Sequence, residues 1–283
     1  MEDAIRKAEV LIEALPYIKR FHKKIVVIKY GGSILGEEKI RKTVLEDIVF
    51  LNFMGLRPVL VHGGGPTISD RIRASGKKTD FVDGMRVTDE ETLAVVEEEL
   101  RNLNDIIVKE IGEHGAKVAG LNGKDSIIVA EKKKAKIDLG LVGNIAEVSK
   151  SLIEEELKKD KIPVILPMAR GKDKEVYNVN ADEAASSIAA ALGAEKLVLL
   201  TNVKGILRRA DDPHSFLSTL TEKEAKSLIK SEVISLGMIP KVNACFDALD
   251  KGVKKTHIID ARIPHALLLE IFTDEGIGTE IVK

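Results

Sequence analysis

Apolar positions in this chain recur in two rhythms. Short β-branched or aliphatic runs, such as Ile25-Val26-Val27-Ile28 and Val59-Leu60-Val61, read as buried strands over residues 24–30, 58–62, 162–168, 196–201 and 255–260. A three-to-four spacing predicts helices over 38–55, 66–75, 89–114, 149–160, 181–192, 221–230, 238–251 and 264–271. Thr88-Asp89-Glu90-Glu91 offers a cap for the longest of these, and Thr221 starts another. Shorter strands are expected near 116–121, 126–131 and 142–148, with Gly120, Gly123, Gly140 and Gly143 between them, and a last one near 279–282. Ile5, Ala8, Ile12, Leu15 and Ile18 form a further helical stripe over 3–21, interrupted at Pro16, which completes no strand–helix–strand unit. Strands alternating with helices imply an α/β fold with a mostly parallel, open sheet covered on both faces. Ligands in such sheets bind outside the carboxyl ends of the strands.

Two of those strand ends carry consecutive glycines: Lys29-Tyr30-Gly31-Gly32-Ser33 and His62-Gly63-Gly64-Gly65-Pro66. Glycines there let the main chain approach an anion and aim N–H groups at it, with a following helix adding positive field. Lys29 supplies a point charge beside the first turn. The usual mononucleotide signature is missing, since Gly123-Lys124-Asp125 lacks both its spacing and its hydroxyl, and no GxGxxG or GxSxG pattern occurs. The histidines are scattered without cysteine or histidine company, so no protein metal centre is expected. His62 reads as a hydrogen-bonded strand-end histidine at least as readily as a ligand.

Composition narrows the class. Basic and acidic residues balance at 44 and 45, a net charge of −1 that gives no attraction to nucleic acid or anionic lipid; Lys132-Lys133-Lys134 reads as a solvated loop. The single cysteine, Cys245, allows no intramolecular disulfide. With no secretory leader or membrane span in the pattern, a cytoplasmic location is expected. Glutamine is absent while Lys and Glu are abundant, a bias that matches heat-adapted proteins.

Two further segments carry unusual chemistry. Tyr177-Asn178-Val179-Asn180-Ala181-Asp182 opens a small-residue helix, where Asn and Asp read either as caps or as ligands. Gly237-Met238-Ile239-Pro240-Lys241 puts a lysine in a helix's first turn, against the dipole. Together with the Gly84-Met85-Arg86-Val87-Thr88 stretch and Leu200-Thr201-Asn202-Val203-Lys204-Gly205, these ordered motifs resemble the amino acid kinase family, most closely its branch acting on N-acetyl-L-glutamate.

The resemblance implies a three-layer αβα sandwich: residues 23–193 as the acyl-amino-acid and dimerisation lobe, 194–283 as the ATP lobe, and 1–22 as an oligomerisation helix. It implies Lys29, Asp182, Lys241 and Gly32 as catalytic residues, the lysines flanking the γ-phosphoryl group and Asp182 holding them in register. Gly64, Gly65, Arg86 and Asn178 would bind the acyl amino acid. Gly31, Thr201, Asn202, Gly205 and Met238 would serve ATP, whose phosphates carry Mg2+. The branch's arginine-sensitive hexameric type is also implied, with Tyr17, His265, Glu270 and Gly276 as effector positions and homodimers joined into a homohexamer. Asn202 stands where the family commonly has Asp, and Leu236 replaces a frequent glycine. A carrier-protein-linked glutamate or aminoadipate kinase and a catalytically silent arginine sensor are the competing readings.

Overall fold

The computed structural model describes residues 1–283 except Asp83, Ala210, Pro213, His214, Leu236, Asp274 and Glu275, and the side chains of Asp3, Ala4 and Lys7. The Leu236 departure therefore lies outside the described residues. Eight strands form one sheet in the order Thr219–Thr221, Thr279–Val282, Lys255–Asp260, Lys196–Thr201, Ile25–Tyr30, Arg57–His62, Ile162–Leu166 and Val118–Asn122. Neighbours run parallel throughout, save where Thr279–Val282 lies antiparallel to Lys255–Asp260.

The alternation of each strand divides its side chains between two cores. Val26, Ile28 and Tyr30 join Leu60, Ile48 and Ile107 on one face. Val27 joins Val59, Val61, Leu199, Ile188 and the small residues Ala184, Ala185 and Ala189 on the other. Because period-two geometry puts Lys29 on the face of Val27, it points toward the helix Ala181–Ala191. His62, two residues beyond Leu60, points the opposite way, toward the helix Glu90–Glu113. Two charged or polar side chains from paired strands thus leave the sheet on opposite sides.

The expected helices are present, with differences that have local causes. The amino-terminal stripe is two helices, Glu2–Glu13 and Leu15–Phe21, the second beginning with Pro16 in its first turn. Asp89 caps Glu90–Glu113 by accepting from Thr92 N, and Thr221 and Glu224 form a capping box. The first glycine turn leads only into the four-residue helix Gly32–Leu35, so a sustained helix dipole backs only the second turn, through Gly65–Ala74. The run 162–168 splits into Ile162–Leu166 and Met168–Gly171 around Pro167. The latter strand, with Val176–Asn178, Ile128–Lys132 and Gly143–Val148, builds a separate four-stranded sheet. Among the described residues no helix is long and apolar enough to cross a membrane.

Candidate active site

Strands Ile25–Tyr30, Arg57–His62 and Lys196–Thr201 lie side by side and end together, so both glycine turns and Thr201-Asn202 meet at one sheet edge. The strand order reverses here, where an open α/β sheet offers a crevice. A cavity of about 490 Å³ opens at this point, and its lining includes Gly64, Gly65, Arg86, Asn178, Thr201, Asn202 and Met238 together with Lys29, Asp182 and Lys241.

The two turns touch through main chain. A Cβ on Gly32 would lie 2.8 Å from Gly65 N and 2.9 Å from Gly64 N, so only glycine permits this approach. A Cβ on Gly31 would stand 3.0 Å from Leu200 O. The result is a cradle of peptide N–H groups suited to anionic oxygens.

Behind the cradle sits a charged bridge. Lys29 Nζ lies 2.8 Å from Asp182 Oδ1, and Lys241 Nζ lies 3.0 Å from Asp182 Oδ2. Asn180, not Asp182, caps the helix, accepting from the N–H groups of Asp182 and Glu183. That leaves both carboxylate oxygens of Asp182 for the lysines. Burial opposes ionisation of Asp182, but the two ammonium groups outweigh it and hold its pKa down at about 2. Burial pulls Lys29 down from the usual lysine value, Asp182 works against that, and Lys241 adds to it. Two cations facing one carboxylate leave one positive charge uncompensated inside a cavity walled by protein, an arrangement that calls for an anionic occupant.

Arg86 is buried, stacked over Phe81 at 4.7 Å, and donates through Nη2 to Gly65 O at 3.0 Å and to Ser69 Oγ at 2.8 Å. Its Nη1 is buried without a hydrogen-bond partner among the described residues. An orphaned guanidinium nitrogen at a cavity wall is costly unless a ligand acceptor meets it. Asn178 also lines the cavity and donates to Thr88 Oγ1 at 3.3 Å.

Gly205 stands apart from this cavity. At φ +125° it backs onto Thr279 and Phe216, where a Cβ would lie 2.6 Å from Thr279 Oγ1 and 2.7 Å from Phe216 Cε2. Its glycine requirement is thus a turn requirement.

A second cavity of about 240 Å³ lies at the other end of strand Lys196–Thr201. Its lining includes Tyr17, Lys196, His257, Glu270, Gly276 and Glu280. Tyr17, Glu270 and Gly276 are therefore brought together, although 253 residues separate the first two in the chain. Glu270 Oε1 is held by Lys196 at 2.9 Å and His257 at 3.0 Å. His257 Nδ1 is buried without a partner among the described residues, and burial, then Lys196 and Lys255, hold the ring neutral.

His265 does not reach this cavity. It stands just before the helix Ala266–Phe272 in a left-handed conformation at φ +56°, making no side-chain capping bond, and its Nδ1 meets Asp47 Oδ1 at 2.7 Å. That contact turns its ring toward the helix Glu38–Phe53, so nearness to Glu270 in the chain does not carry into space. His257 takes the place expected of His265, and no motif in the sequence marks it. Asp274 and Glu275 of the same stretch lie outside the described residues.

The model of the amino acid kinase family matches residues 24–260. Acetylglutamate kinase of Petrotoga mobilis is 50% identical over 283 residues, covering 99% of this chain and 95% of that protein. Among solved structures, N-acetylglutamate synthase from Neisseria gonorrhoeae complexed with coenzyme A and N-acetyl-glutamate is similar at a TM-score of 0.87 and 26% identity, over 98% of this chain. The same synthase complexed with coenzyme A and L-arginine matches at a TM-score of 0.81 and 26% identity, over 98% of this chain. This chain spans 63% and 65% of the synthase chain in those two structures.

Proposed function

The chain belongs to the amino acid kinase family, and from that premise we propose that it transfers the γ-phosphoryl group of ATP to the γ-carboxylate of N-acetyl-L-glutamate. The observation that carries the reading is the Lys29–Asp182–Lys241 bridge set against two touching glycine turns. A γ-carboxylate oxygen attacks the γ-phosphorus, the bond from that phosphorus to the bridging oxygen breaks, and the electron pair leaves with ADP. The products are ADP and an acyl phosphate. The carboxylate is ionised at neutral pH, so the reaction needs no general base.

Catalysis by this chain is then positioning and charge stabilisation. Lys29 and Lys241 offset negative charge on the phosphoryl oxygens in flight, and Asp182 keeps the two ammonium groups from repelling each other out of place. The N–H groups of Gly32 and Gly64 donate to those oxygens. Arg86 Nη1 and Asn178 engage the α-carboxylate end of the substrate, with Gly64 and Gly65 beside it. Gly31, Thr201, Asn202 and Met238 border the nucleotide half of the cavity. Magnesium, arriving with ATP, neutralises phosphate charge there. In this reading residues 23–193 form the acyl-amino-acid lobe and 194–283 the nucleotide lobe, and the enzyme works in the cytoplasm.

The test is ADP release across a panel of N-acetylglutamate, N-acetylaminoadipate and free glutamate. The reading expects the highest kcat/KM with N-acetylglutamate; folded protein that turns over none of them would point instead to a carrier-linked substrate or a silent sensor. Arg86→Leu is expected to raise KM for N-acetylglutamate by about 10²-fold, the scale of a charge-assisted contact, and Arg86→Lys should restore little because the planar fork is lost. An unchanged KM would remove Arg86 from substrate binding.

We further propose that arginine binds the second cavity and inhibits. The lining carries both Glu270 and Glu280 carboxylates and Lys196 and Lys255 ammonium groups, which suits a zwitterion with an extra cation. Ile5, Val10, Leu11 and Ile12 are exposed on the first helix, apolar side chains that suit docking on a second copy and the joining of dimers into a hexamer. Tyr17 would connect the two, since it lines the cavity from the following helix. Millimolar arginine should suppress turnover; a flat activity curve over that range would refute the effector assignment.

A further inference from the structure

We propose that Asn104 and His62 are positioning residues that lock the peptide plane between Gly63 and Gly64, and so aim the Gly64 N–H at the phosphoryl cradle. The inference rests on the phosphoryl-transfer reading of that cradle. Its starting point is the opposite exit of His62 from the sheet, into the core against the helix Glu90–Glu113, where both His62 and Asn104 are buried.

The hydrogen-bond chemistry there has one consistent solution. Asn104 Nδ2 lies 3.0 Å from Val164 O and 3.1 Å from His62 Nε2. A carbonyl oxygen only accepts, so the amide must present its NH2 group to Val164. The second hydrogen of that group then points at His62 Nε2, which has to be an unprotonated acceptor. The amide oxygen takes the remaining side, against Gly120, where a Cβ would come within 2.5 Å of it. Burial keeps the imidazole neutral, with its pKa down at about 4. A neutral ring without a proton on Nε2 carries it on Nδ1, and Nδ1 lies 3.4 Å from Gly63 O.

The carbonyl of Gly63 and the N–H of Gly64 belong to the same planar, trans peptide unit and point in opposite directions. Holding the carbonyl on the His62 side turns the N–H to the other side, and Gly64 N lies 2.9 Å from where a Cβ on Gly32 would stand, at the contact between the two glycine turns. Glycine on both sides of this peptide lets it flip at little steric cost, so its direction needs an external determinant. Asn104, from another element, supplies it through the tautomer of His62.

The test uses protein labelled with 15N-histidine, alone and with ATP–magnesium and N-acetylglutamate kinetics. In the unaltered protein the His62 nitrogens should report a protonated Nδ1 and a bare Nε2; an Nε2–H tautomer or an imidazolium overturns the proposal, whatever the activity. Asn104→Asp keeps the shape but replaces the donor with an acceptor, so the proton should move to Nε2 and kcat should fall about 10²-fold, the scale of a misplaced oxyanion donor. KM for ATP should stay within about twofold, a split that general loosening would not give. A reversed tautomer with unchanged kcat overturns the proposal. Lack of turnover in the unaltered protein would count against the kinase reading while leaving the tautomer measurable.

Discussion

Asp182→Asn is expected to lower kcat by at least about 10³-fold and to destabilise the fold by about 3 kcal/mol. Both effects follow from the same geometry. The carboxylate is buried and lies 2.8 Å and 3.0 Å from two ammonium groups, one of which, on Lys29, is itself buried. An amide of the same size accepts from only one of them, sets its own NH2 donors against the other, and cancels no charge. Lys29 and Lys241 then repel across the place where the phosphoryl group passes, and Lys29 is left as a buried cation without compensation. Binding of an anionic nucleotide would offset part of the repulsion, so the loss should be larger in unfolding experiments on the free protein than in its nucleotide complex. Steady-state kinetics and urea unfolding, with and without nucleotide, check the two effects separately. Turnover within tenfold of the unaltered protein would show that Asp182 does not organise the lysines.

The second large effect is expected at the lysines. Lys29→Met and Lys241→Met should each lower kcat by about 10²–10³-fold, the scale of losing one contact made to charge developing in the transition state. Met keeps the length and the apolar stem, so packing is nearly conserved. The two variants should differ in stability. Lys241 is the more exposed of the pair, and its removal leaves Asp182 still matched by Lys29. Lys29→Met instead places an apolar tip against a buried carboxylate, where only Lys241 remains. The double variant should lose much less than the product of the single losses, because all three groups act as one unit. Near-normal turnover of Lys241→Met would exclude it from the reaction.

Much of this site is legible in the sequence. Lys29, Gly31-Gly32 and Gly63-Gly64-Gly65 follow from strands that end in glycines, and parallel pairing necessarily brings such ends to one edge. Period-two alternation even orients Lys29 toward the small-residue helix that carries Asp182. What escaped the sequence depends on distant partners or on very short elements. Met168–Gly171 and Val176–Asn178 have four and three residues, too few for a periodic signal, and their pairing into a second sheet is a tertiary outcome. His257 and Asn104 carry no motif of their own; each matters through what another strand or helix sets against it. His265 was misleading for the converse reason: its closeness to Glu270 along the chain is undone by its left-handed backbone and its contact with Asp47. Gly205 shows the same limit, since a glycine beside a ligand and a glycine in a tight turn look alike in sequence.

The central claim is that this bridge and cradle transfer a phosphoryl group to a carboxylate. The most direct measurement is trapping of the product with hydroxylamine, using N-acetylglutamate, ATP and magnesium, for the unaltered protein and Lys241→Met in parallel. The account predicts N-acetylglutamyl hydroxamate formed in step with ADP, and about 10²–10³-fold less of it per unit time from the variant. ADP released without hydroxamate, or equal hydroxamate from both proteins, would contradict it.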